Sequence, residues 1–323
     1  MWPLIKLLPE KTNFKFVKYA KIAGFVSVVL VIASLAMTIY PLKPPCGGLN
    51  CGVDFKGGTV LEVSKPSGPI DLAAARSAMN ALNVGDVQVQ AFGSDSDALI
   101  RFETPAGESP DQTIARAQTA LRGALGEDIK FLPAEVVGPK VSGELFTTGL
   151  VALGVAIALM LVYIWFRFEL QFGLGAVVGL FHDIILTFGL FALFKLEFTL
   201  TAVAAMLTII GYSMNDTVVV FDRLRENLRK YKKMPLGEVI DLTINETLSR
   251  TIITGATGLL ALTGLALLGG PALFAFSVAM IFGIVVGTYS SIYVAAPVIM
   301  IWGVKRGDEE ELQPVILGGA SKP

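Results

Sequence analysis

A carboxylate stands inside an otherwise apolar run, at Asp216 in the sequence IIGYSMNDTVVVF of residues 209–221. An aspartate at the centre of a transmembrane helix costs roughly 2.5 to 3.5 kcal/mol on insertion scales, so it is retained mainly where it pairs, titrates or meets water. In a helix, Tyr212 and Ser213 share a face with Asp216, and Asn215 is next to it in the chain. This stripe favours a proton-exchanging role for Asp216, with Tyr212, Ser213 and Asn215 as secondary candidates. The alternative is an aspartate that only holds helices together by hydrogen bonds.

Arg250 is the predicted partner of Asp216. It opens the next apolar stretch, on the side of the membrane where the stretch with Asp216 ends, and Asp216 lies roughly 9 Å before that edge at 1.5 Å per residue. Small residues in register with Arg250, such as Thr254 and Gly258, indicate a face that packs against other helices. An arginine at a helix end also commonly extends to the lipid headgroups. The sequence therefore leaves two alternatives for Arg250, an ion pair with Asp216 or a side chain that extends towards the lipid headgroups.

A second titratable pair, His182-Asp183, lies in the preceding apolar stretch. His182 is the only histidine of the chain, and an imidazole with its ordinary pKa near about 6.5 suits proton handling. Gly175 and Gly179, spaced as G-x-x-x-G, allow a neighbouring helix to approach this stretch closely. His182 and Asp183 are therefore candidates either for a proton pathway or for hydrogen-bonded packing.

The composition indicates a membrane protein and excludes several functional classes. Of the 323 residues, 53% are hydrophobic and 16% charged, with a mean hydropathy of +0.65, which is too apolar for a soluble domain of this length. A phosphate-binding G-x-x-x-x-G-K-[ST] loop is absent from the sequence. We therefore expect no enzyme, no cofactor, no metal and no nucleic-acid partner, and the transmembrane proton gradient becomes the expected energy source.

Six apolar stretches are each long enough to cross a bilayer core of about 30 Å. They cover about residues 22–40, 146–166, 172–194, 198–221, 251–268 and 272–302. Lysines and arginines cluster in the segment 1–21, after the second stretch, in a linker at 222–249 and in the tail 304–323, which the positive-inside rule places in the cytoplasm. A cleaved signal peptide is the alternative for the first stretch, but no small-x-small cleavage site follows it. We expect a polytopic α-helical protein of the bacterial cytoplasmic (inner) membrane, with both termini inside and residues 144–303 forming helices 2–6.

Residues 41–143 have the composition of a water-exposed domain inserted between the first two spans, which this topology places in the periplasm. Strand patterns cover about 53–63, with a break at Gly57-Gly58, and about 87–91, 98–102 and 129–137. Asp71 caps a helix to about residue 82, and Ser109-Pro110-Asp111 opens another to about residue 125. The order β-α-β-β-α-β is typical of a small ferredoxin-like α+β domain.

Two cysteines, Cys46 and Cys51, precede the first of these strands. A disulfide needs an oxidising compartment, which a periplasmic location supplies. A disulfide and a pair of free thiols in a loop are equally compatible with the sequence.

The chain resembles the SecD/SecF family of bacterial protein-export membrane subunits, which is related to RND-type transporters. The resemblance rests on GVDFKGGT at 52–59, VGPKVSGEL at 137–145, His182-Asp183, GYSMNDTVVVFDR at 211–223 and Arg250-Thr251. It implies one half of an RND-type bundle, completed by the six spans of SecD to form a twelve-span unit beside the SecYEG channel. Further implied partners are YajC, YidC, the translocating preprotein and protons. The cysteine pair is not part of the family pattern.

In this family, proton flow helps to complete preprotein translocation and release. The resemblance implies that the family's intramembrane aspartate and arginine correspond to Asp216 and Arg250. The resulting hypothesis is that Asp216 alternates between a charged state paired with Arg250 and a protonated state free to move. The alternative function is an RND-type half-transporter that exports a small solute or lipid. A passive scaffold for the channel is a third interpretation, in which neutral replacements of Asp216 and Arg250 would be tolerated.

Overall fold

The structure is a computed structural model that describes residues 12–42, 46–85, 87–105 and 107–304. Most of the predicted terminal segments 1–21 and 304–323 lies outside these residues. In chain order the elements are a 3₁₀ turn (Val17–Tyr19), α1 (Ala20–Ile39), β1 (Asn50–Cys51), α2 (Val53–Lys56), β2 (Gly58–Ser64), α3 (Leu72–Asn80), β3 (Gln88–Phe92), β4 (Ser94–Phe102), α4 (Pro110–Leu125), β5 (Lys130–Phe131), β6 (Glu135–Val137), α5 (Pro139–Arg167), α6 (Leu170–Phe194), β7 (Glu197–Phe198), α7 (Leu200–Lys230), α8 (Leu236–Leu268), α9 (Pro271–Ser290), a π-helical turn (Ser291–Ala295) and α10 (Ala296–Trp302).

Six spans in the described part of the chain are long and apolar enough to cross a membrane, and each covers one predicted stretch. They are α1, α5, α6, α7, α8 and a last span formed by α9, the π-helical turn and α10. The prediction of a polytopic helical membrane protein is therefore confirmed.

The bundle is built around α6, α7 and the last span, which are more buried than α1, α5 and α8. Glycines allow these helices to approach closely. A Cβ atom added to Gly175 of α6 would lie 2.6 Å from the carbonyl oxygen of Ala295, and one added to Gly283 of α9 would overlap the side chain of Ile209. Helices α1, α5 and α8 expose large apolar side chains, such as Phe25 and Leu260, as expected for surfaces that face lipid or another membrane protein.

The predicted linker at 222–249 is mostly helical, and the apolar spacing of Leu236, Val239, Ile240 and Ile244 predicts the helical part that leads into the fifth span. Helix α7 continues to Lys230 and α8 begins at Leu236, so only residues 231–235 separate them. Buried apolar side chains, including Val239, Ile240 and Ile244, pack this extension of α8 into the main hydrophobic core. Because the charges interrupt only the exposed faces, they end the apolar run without ending the helices.

Residues 50–137, here called the α+β unit, contain a five-stranded antiparallel sheet, the two longer helices α3 and α4, the short helix α2 and the strand β1. The strand order is β3-β4-β2-β5, and β6 also pairs with β2. Asp71 caps α3 by accepting hydrogen bonds from two backbone N–H groups, and Ser109 and Gln112 form a capping box on α4. Helices α3 and α4 share an apolar core with the sheet that includes Leu61, Ile100 and Phe102.

The prediction of a strand at 53–63 is wrong for the residues that precede the break at Gly57-Gly58. Residues Val53–Lys56 form the short helix α2, and the strand begins only at Gly58. Gly57 has a φ of 76° and Gly58 a φ of 112°, a backbone region that favours glycine, so the pair turns the chain from helix into strand. The final predicted strand at 129–137 is likewise divided into β5 and β6, which pair with successive parts of β2.

The α+β unit is attached to the bundle at the beginning of α7. Strand β1 pairs in parallel with β7, which directly precedes that helix. The Asp54 carboxylate of α2 accepts a hydrogen bond from the backbone N–H of Leu200, the first residue of α7, at 2.9 Å. Phe55 packs edge-on against Phe146 of α5, with ring centroids 5.5 Å apart. These contacts, here called the junction, connect the unit to two spans.

An ion pair between Arg101 of β4 and Glu197 of β7 lies in the same junction. Arg101 is only 5% exposed and also donates a hydrogen bond to the side-chain oxygen of Gln88 at 3.1 Å. Burial raises the pKa of the Glu197 carboxyl, and the attraction of Arg101 opposes this effect. Cys46 and Cys51 form a disulfide beside the junction, with their Cα atoms 6.2 Å apart.

Candidate functional site

Asp216 is held by two hydroxyl groups from two other spans. Its Oδ1 accepts a hydrogen bond from Thr251 Oγ1 of α8 at 2.6 Å, and its Oδ2 accepts one from Ser291 Oγ of the last span at 2.9 Å. The carboxyl group is largely withdrawn from the surface. Asp216 therefore joins three spans through neutral donors.

Close helix packing produces this arrangement. A Cβ atom on Gly287 of α9 would lie 3.1 Å from Ser213 Cβ, so a larger residue there would separate α9 from α7. A Cβ atom on Gly258 of α8 would lie 3.0 Å from Ile284 Cδ1. The π-helical turn begins at Ser291, the residue that reaches Asp216. Such turns occur mostly as single insertions in α-helices and frequently at functional sites.

Arg250 shares a small cavity with Asp216 but does not form an ion pair with it. The walls of this cavity, here called the Asp216 cavity, are Tyr212, Asn215, Asp216, Val219, Arg250, Thr251, Thr254 and Thr288. The Arg250 side chain is exposed and, among the contacts of the described residues, makes no hydrogen bond to the carboxylate, whose donors are Thr251 and Ser291. Its charge is still near enough to attract Asp216 electrostatically. The predicted direct pair is thus replaced by proximity within one cavity.

Tyr212 contributes an unusual hydroxyl to the Asp216 cavity. The Tyr212 OH is buried and has no hydrogen-bond partner in the described part of the chain. The cavity measures about 10 Å³, close to the lower limit for a single water molecule. Asn215 is exposed and also borders a second, apolar surface depression against Met160 and Tyr163 of α5. The cavity therefore offers polar groups to water or to a partner on the exposed side of α7.

Asp183 is a second buried carboxyl group, and it too is bound by hydroxyls. It is 1% exposed, and its Oδ2 accepts hydrogen bonds from Ser213 of α7 and from Ser290 Oγ of α9, the latter at 2.7 Å. Its Oδ1 lies 2.8 Å from His182 Nδ1. The His182 ring stacks on Tyr289 with centroids 6.0 Å apart, and its buried Nε2 has no partner among the described residues.

His182 borders a large apolar groove between α1, α6 and the last span, here called the α1 groove. The groove has a volume of about 880 Å³, and its walls include Lys18, Lys21, Ser27 and His182. Ser27 Oγ lies 2.9 Å from the Tyr289 OH, which connects α1 to the ring beneath His182. His182 is thus one of the few polar residues that border this largely apolar groove.

The candidate residues predicted from the sequence divide between two places. Asp216, Tyr212, Asn215 and Arg250 border one cavity, whereas His182, Asp183 and Ser213 form the second cluster. Sequence reasoning missed Thr251, Ser290 and Ser291. The signal available for them was weak, namely hydroxyls next to Arg250 and two adjacent serines inside an apolar span. Within the described ranges, no group of three or more His, Cys, Asp or Glu side chains is arranged so that it could hold a metal ion.

Comparisons with known proteins agree with this architecture. Residues 117–305 match the family model described as "Protein export membrane protein SecD/SecF, C-terminal". The chain is 45% identical over 321 residues to the protein translocase subunit SecF of Rhodobacter capsulatus, covering 95% of this chain and 94% of that protein. It is 42% identical over 307 residues to the subunit SecF of Rickettsia prowazekii, covering 95% and 96% of the two chains.

Two solved structures also resemble the chain. The crystal structure of SecDF, a translocon-associated membrane protein from Thermus thermophilus, matches with a TM-score of 0.78 and 30% identity. SecDF in the super-membrane-facing form matches with a TM-score of 0.59 and 29% identity. In both cases the match covers 94% of this chain but only 39% of the SecDF chain, which is much longer.

Proposed function

The chain belongs to the SecD/SecF family of protein export membrane proteins, and we propose that it acts with a SecD-type partner to convert the proton motive force into preprotein translocation and release. The similarity to translocase subunits of near-equal length supports the assignment to the Sec pathway. The use of protons, the partner and the residues that act are our proposals.

The observation that carries the proposal is the way Asp216 is bound. Its two close partners, Thr251 and Ser291, are neutral hydroxyls, while the positive charge of Arg250 stands on the wall of the same cavity. A charged carboxylate accepts a hydrogen bond from each of the two hydroxyl groups and is attracted by Arg250. A protonated carboxyl loses that attraction and can itself donate a hydrogen bond. A single proton thus changes the forces between α7, α8 and the last span.

Such a change in charge can select between two arrangements of the bundle. Asp216 lies on α7, and the first residue of α7 is bound by Asp54 of the α+β unit. The ion pair of Arg101 with Glu197 adds a second connection just before that helix. A movement of α7 therefore transmits force to the α+β unit through short contacts.

A SecD-type partner would supply the second half of the bundle. The SecDF chain that resembles this one is more than twice as long, and the large exposed apolar side chains on α5 and α8 provide surface for additional spans. The two SecDF structures match with TM-scores of 0.78 and 0.59 at equal coverage, which supports a fold that adopts more than one arrangement. Through the partner we expect an association with SecYEG, YajC and YidC.

The proposed orientation places both termini in the cytoplasm and residues 41–143 in the periplasm. Basic residues at the end of the bundle opposite the junction, including Arg229 and Lys230 at the end of α7, support it. The disulfide between Cys46 and Cys51 fits the oxidising compartment on the other side. The strand order β3-β4-β2-β5, with both helices packed into the core of the sheet, supports a ferredoxin-like domain there.

The decisive experiment replaces Asp216 by asparagine, which keeps the side-chain shape and removes the titration. Asp216→Asn is expected to assemble with the SecD-type partner but to lose the part of preprotein export that depends on a proton gradient in membrane vesicles. Asp222→Asn is the matched control, since Asp222 lies on the same helix outside the cavity and pairs with Arg167 at 2.5 Å. Undiminished gradient-driven export by the Asp216→Asn protein would refute the proposal.

A second candidate, export of a lipid or small apolar solute, is favoured by the α1 groove with its volume of about 880 Å³. The two candidates differ in the phenotype of a strain that lacks the protein. Accumulation of unprocessed secretory precursors supports protein export. Hypersensitivity to toxic compounds with normal precursor processing supports solute efflux instead.

A further inference from the structure

The two buried carboxyl groups are connected by two adjacent serines. Ser290 Oγ lies 2.7 Å from Asp183 Oδ2, and Ser291 Oγ lies 2.9 Å from Asp216 Oδ2. The two serines meet where α9 passes into the π-helical turn. On α7, Ser213 binds Asp183 one turn before Asp216. The segment with Ser290 and Ser291 therefore contacts both carboxyl groups, and α7, which carries Asp216, contacts Asp183 through Ser213.

Each serine hydroxyl faces two acceptors but has only one proton to donate. Ser290 Oγ is 3.1 Å from the carbonyl oxygen of Gly287, and Ser291 Oγ is 3.0 Å from that of Thr288. When the neighbouring carboxylate is charged, the serine donates to it. When the carboxyl is protonated, the acid donates to the serine oxygen and the serine proton turns to the carbonyl. Both protonation states are thus satisfied without movement of heavy atoms.

We propose that Asp183 is a second proton-exchanging carboxyl and that Ser290 and Ser291 link its protonation to that of Asp216. This inference rests on the proposed proton-driven function and extends it. Two carboxyl groups linked in this way titrate as a coupled pair, since a charge on one disfavours a charge on the other.

His182 supplies the entry to Asp183. A proton arriving at the unpartnered Nε2 displaces the Nδ1 proton to Asp183 Oδ1, so that one proton is taken up, one is passed on and the ring ends as the neutral Nε2–H tautomer. Nε2 belongs to the side chain that borders the α1 groove, whose walls also include Lys18 and Lys21. The ring is neutral after this step, so a further transfer requires its return to the Nδ1–H tautomer once Asp183 has passed its proton on.

The surroundings of Asp183 contain few competing groups. Helix α6 supplies His182, α7 supplies Ser213 with Asp216 one turn further on, and the last span supplies Ser290 and Tyr289. Helix α1 contributes the hydroxyl of Ser27, which is hydrogen-bonded to Tyr289. Lys18 of the 3₁₀ turn and Lys21 of α1 lie elsewhere along the groove. Among these described elements, lysine and arginine side chains make no contact with Asp183.

The test uses the complex with its SecD-type partner in lipid nanodiscs and in vesicles. Infrared difference spectra between acid and neutral pH are expected to contain two carboxylic-acid C=O bands, one absent from Asp183→Asn and the other from Asp216→Asn. Ser290→Ala is expected to shift the Asp183 band and to slow gradient-driven export about 100-fold, the lower range for loss of a proton-transferring group. Ser290→Thr, which retains the hydroxyl, should restore both.

Ser277→Ala is the matched control, because Ser277 is a fully buried serine of α9 with no hydrogen-bond partner among the described residues. It should leave the spectra and export unchanged. If Asp183→Asn loses no band and exports normally while Asp216→Asn fails, the inference is overturned and the proposed function stands. If both variants export normally, the proposed function falls as well. Should Asp183→Asn fail to assemble, Ser290→Ala decides, since unchanged spectra and export there overturn the link.

Discussion

The Asp54 carboxylate accepts a hydrogen bond from the backbone N–H of Leu200 at 2.9 Å, although the two residues are 146 positions apart in the chain. The first N–H groups of a helix lack partners within the helix, and the helix dipole favours a negative charge there. A residue of the α+β unit therefore caps the helix that carries Asp216. Gly57 and Gly58, which follow Asp54, help to hold α2 against the start of α7, because they let the chain leave α2 and enter β2 at once.

Asp54→Ala is expected to remove this cap and weaken the junction by about 1 kcal/mol, the typical loss for such a substitution. Backbone amides at the start of α7 should then exchange hydrogen faster, and gradient-driven export should decline. Asp71→Ala is the matched control, since Asp71 caps α3 inside the α+β unit and does not touch the bundle. Equal exchange at the start of α7 in both variants would contradict a coupling role for Asp54.

Thr251→Val is expected to remove one of the two hydroxyl donors to Asp216 while keeping the side-chain volume. Hydrogen bonds to charged groups contribute about 1.5 to 3 kcal/mol, so the charged form of Asp216 loses stability by that order. Gradient-driven export should slow about tenfold or more, and Thr251→Ser should restore it. Thr254→Val, on the wall of the same cavity but without a hydrogen bond to Asp216, should export normally. Similar rates for the two valine variants would argue against a role for the hydroxyl.

Gly283→Ala is expected to destabilise the packing of α7 on α9, because the added Cβ atom would overlap Ile209. Overpacking of this kind costs about 1 to 3 kcal/mol, which thermal unfolding of the purified chain can detect. Gly264→Ala is the control, since a Cβ atom there meets open space. It should leave the melting temperature unchanged or raise it slightly, because alanine favours a helix.

Glu62→Gln is expected to stabilise the α+β unit at neutral pH. Burial raises the pKa of the Glu62 carboxyl, and the charges of Asp97 and Glu135 raise it further. These two residues lie opposite Ser64 and Val60, two positions either side of Glu62 on β2, and so share its face of the sheet.

A raised pKa means that the stability contributed by Glu62 is fully present below its unfolded pKa of about 4.3 and is lost as the pH rises through the folded value. Because Glu62 is only partly buried and solvent screens its charge, the gain for the glutamine variant at pH 7 should be only about 0.5 kcal/mol. Hydrogen exchange of β2 amides measures it. The gain should vanish at acid pH and shrink in about 1 M salt, where charges are screened beyond about 3 Å. A gain independent of pH would point to packing instead.

The membrane spans could be predicted from the sequence because apolar length alone specifies them. The charged extension of α7 could not, since hydropathy reports contact with lipid and not the continuation of a helix, whereas the helical spacing of Val239 and Ile244 predicts the extension of α8. Residues such as Val239 and Ile244 show that buried positions continue beyond the apolar run. In the α+β unit, the caps at Asp71 and Ser109 and the break at Gly57-Gly58 were predictable, whereas the short helix at residues 53–56 was hidden within a strand-like run.

Asp216 stands out in the sequence because a carboxylate is costly among apolar residues. Its direct partners do not, because threonine and serine are common in transmembrane helices and carry no charge. The side-chain direction of Arg250 depends on how α8 is rotated, which spacing along one helix does not specify. The π-helical turn that presents Ser291 has no counterpart in local sequence preference, and it arises from how the last span packs on α6 and α7.

The parallel pairing of β1 with β7 has a consequence for biogenesis. The ribosome produces β1 at the start of the α+β unit, and β7 only after α5 and α6. The strands can meet only when both intervening spans have crossed the bilayer in the correct direction, because a single failed crossing leaves β7 on the opposite side. An accessible, unpaired β1 would therefore mark a molecule whose insertion is incomplete, and closure of this short strand pair amounts to a proofreading step for membrane integration.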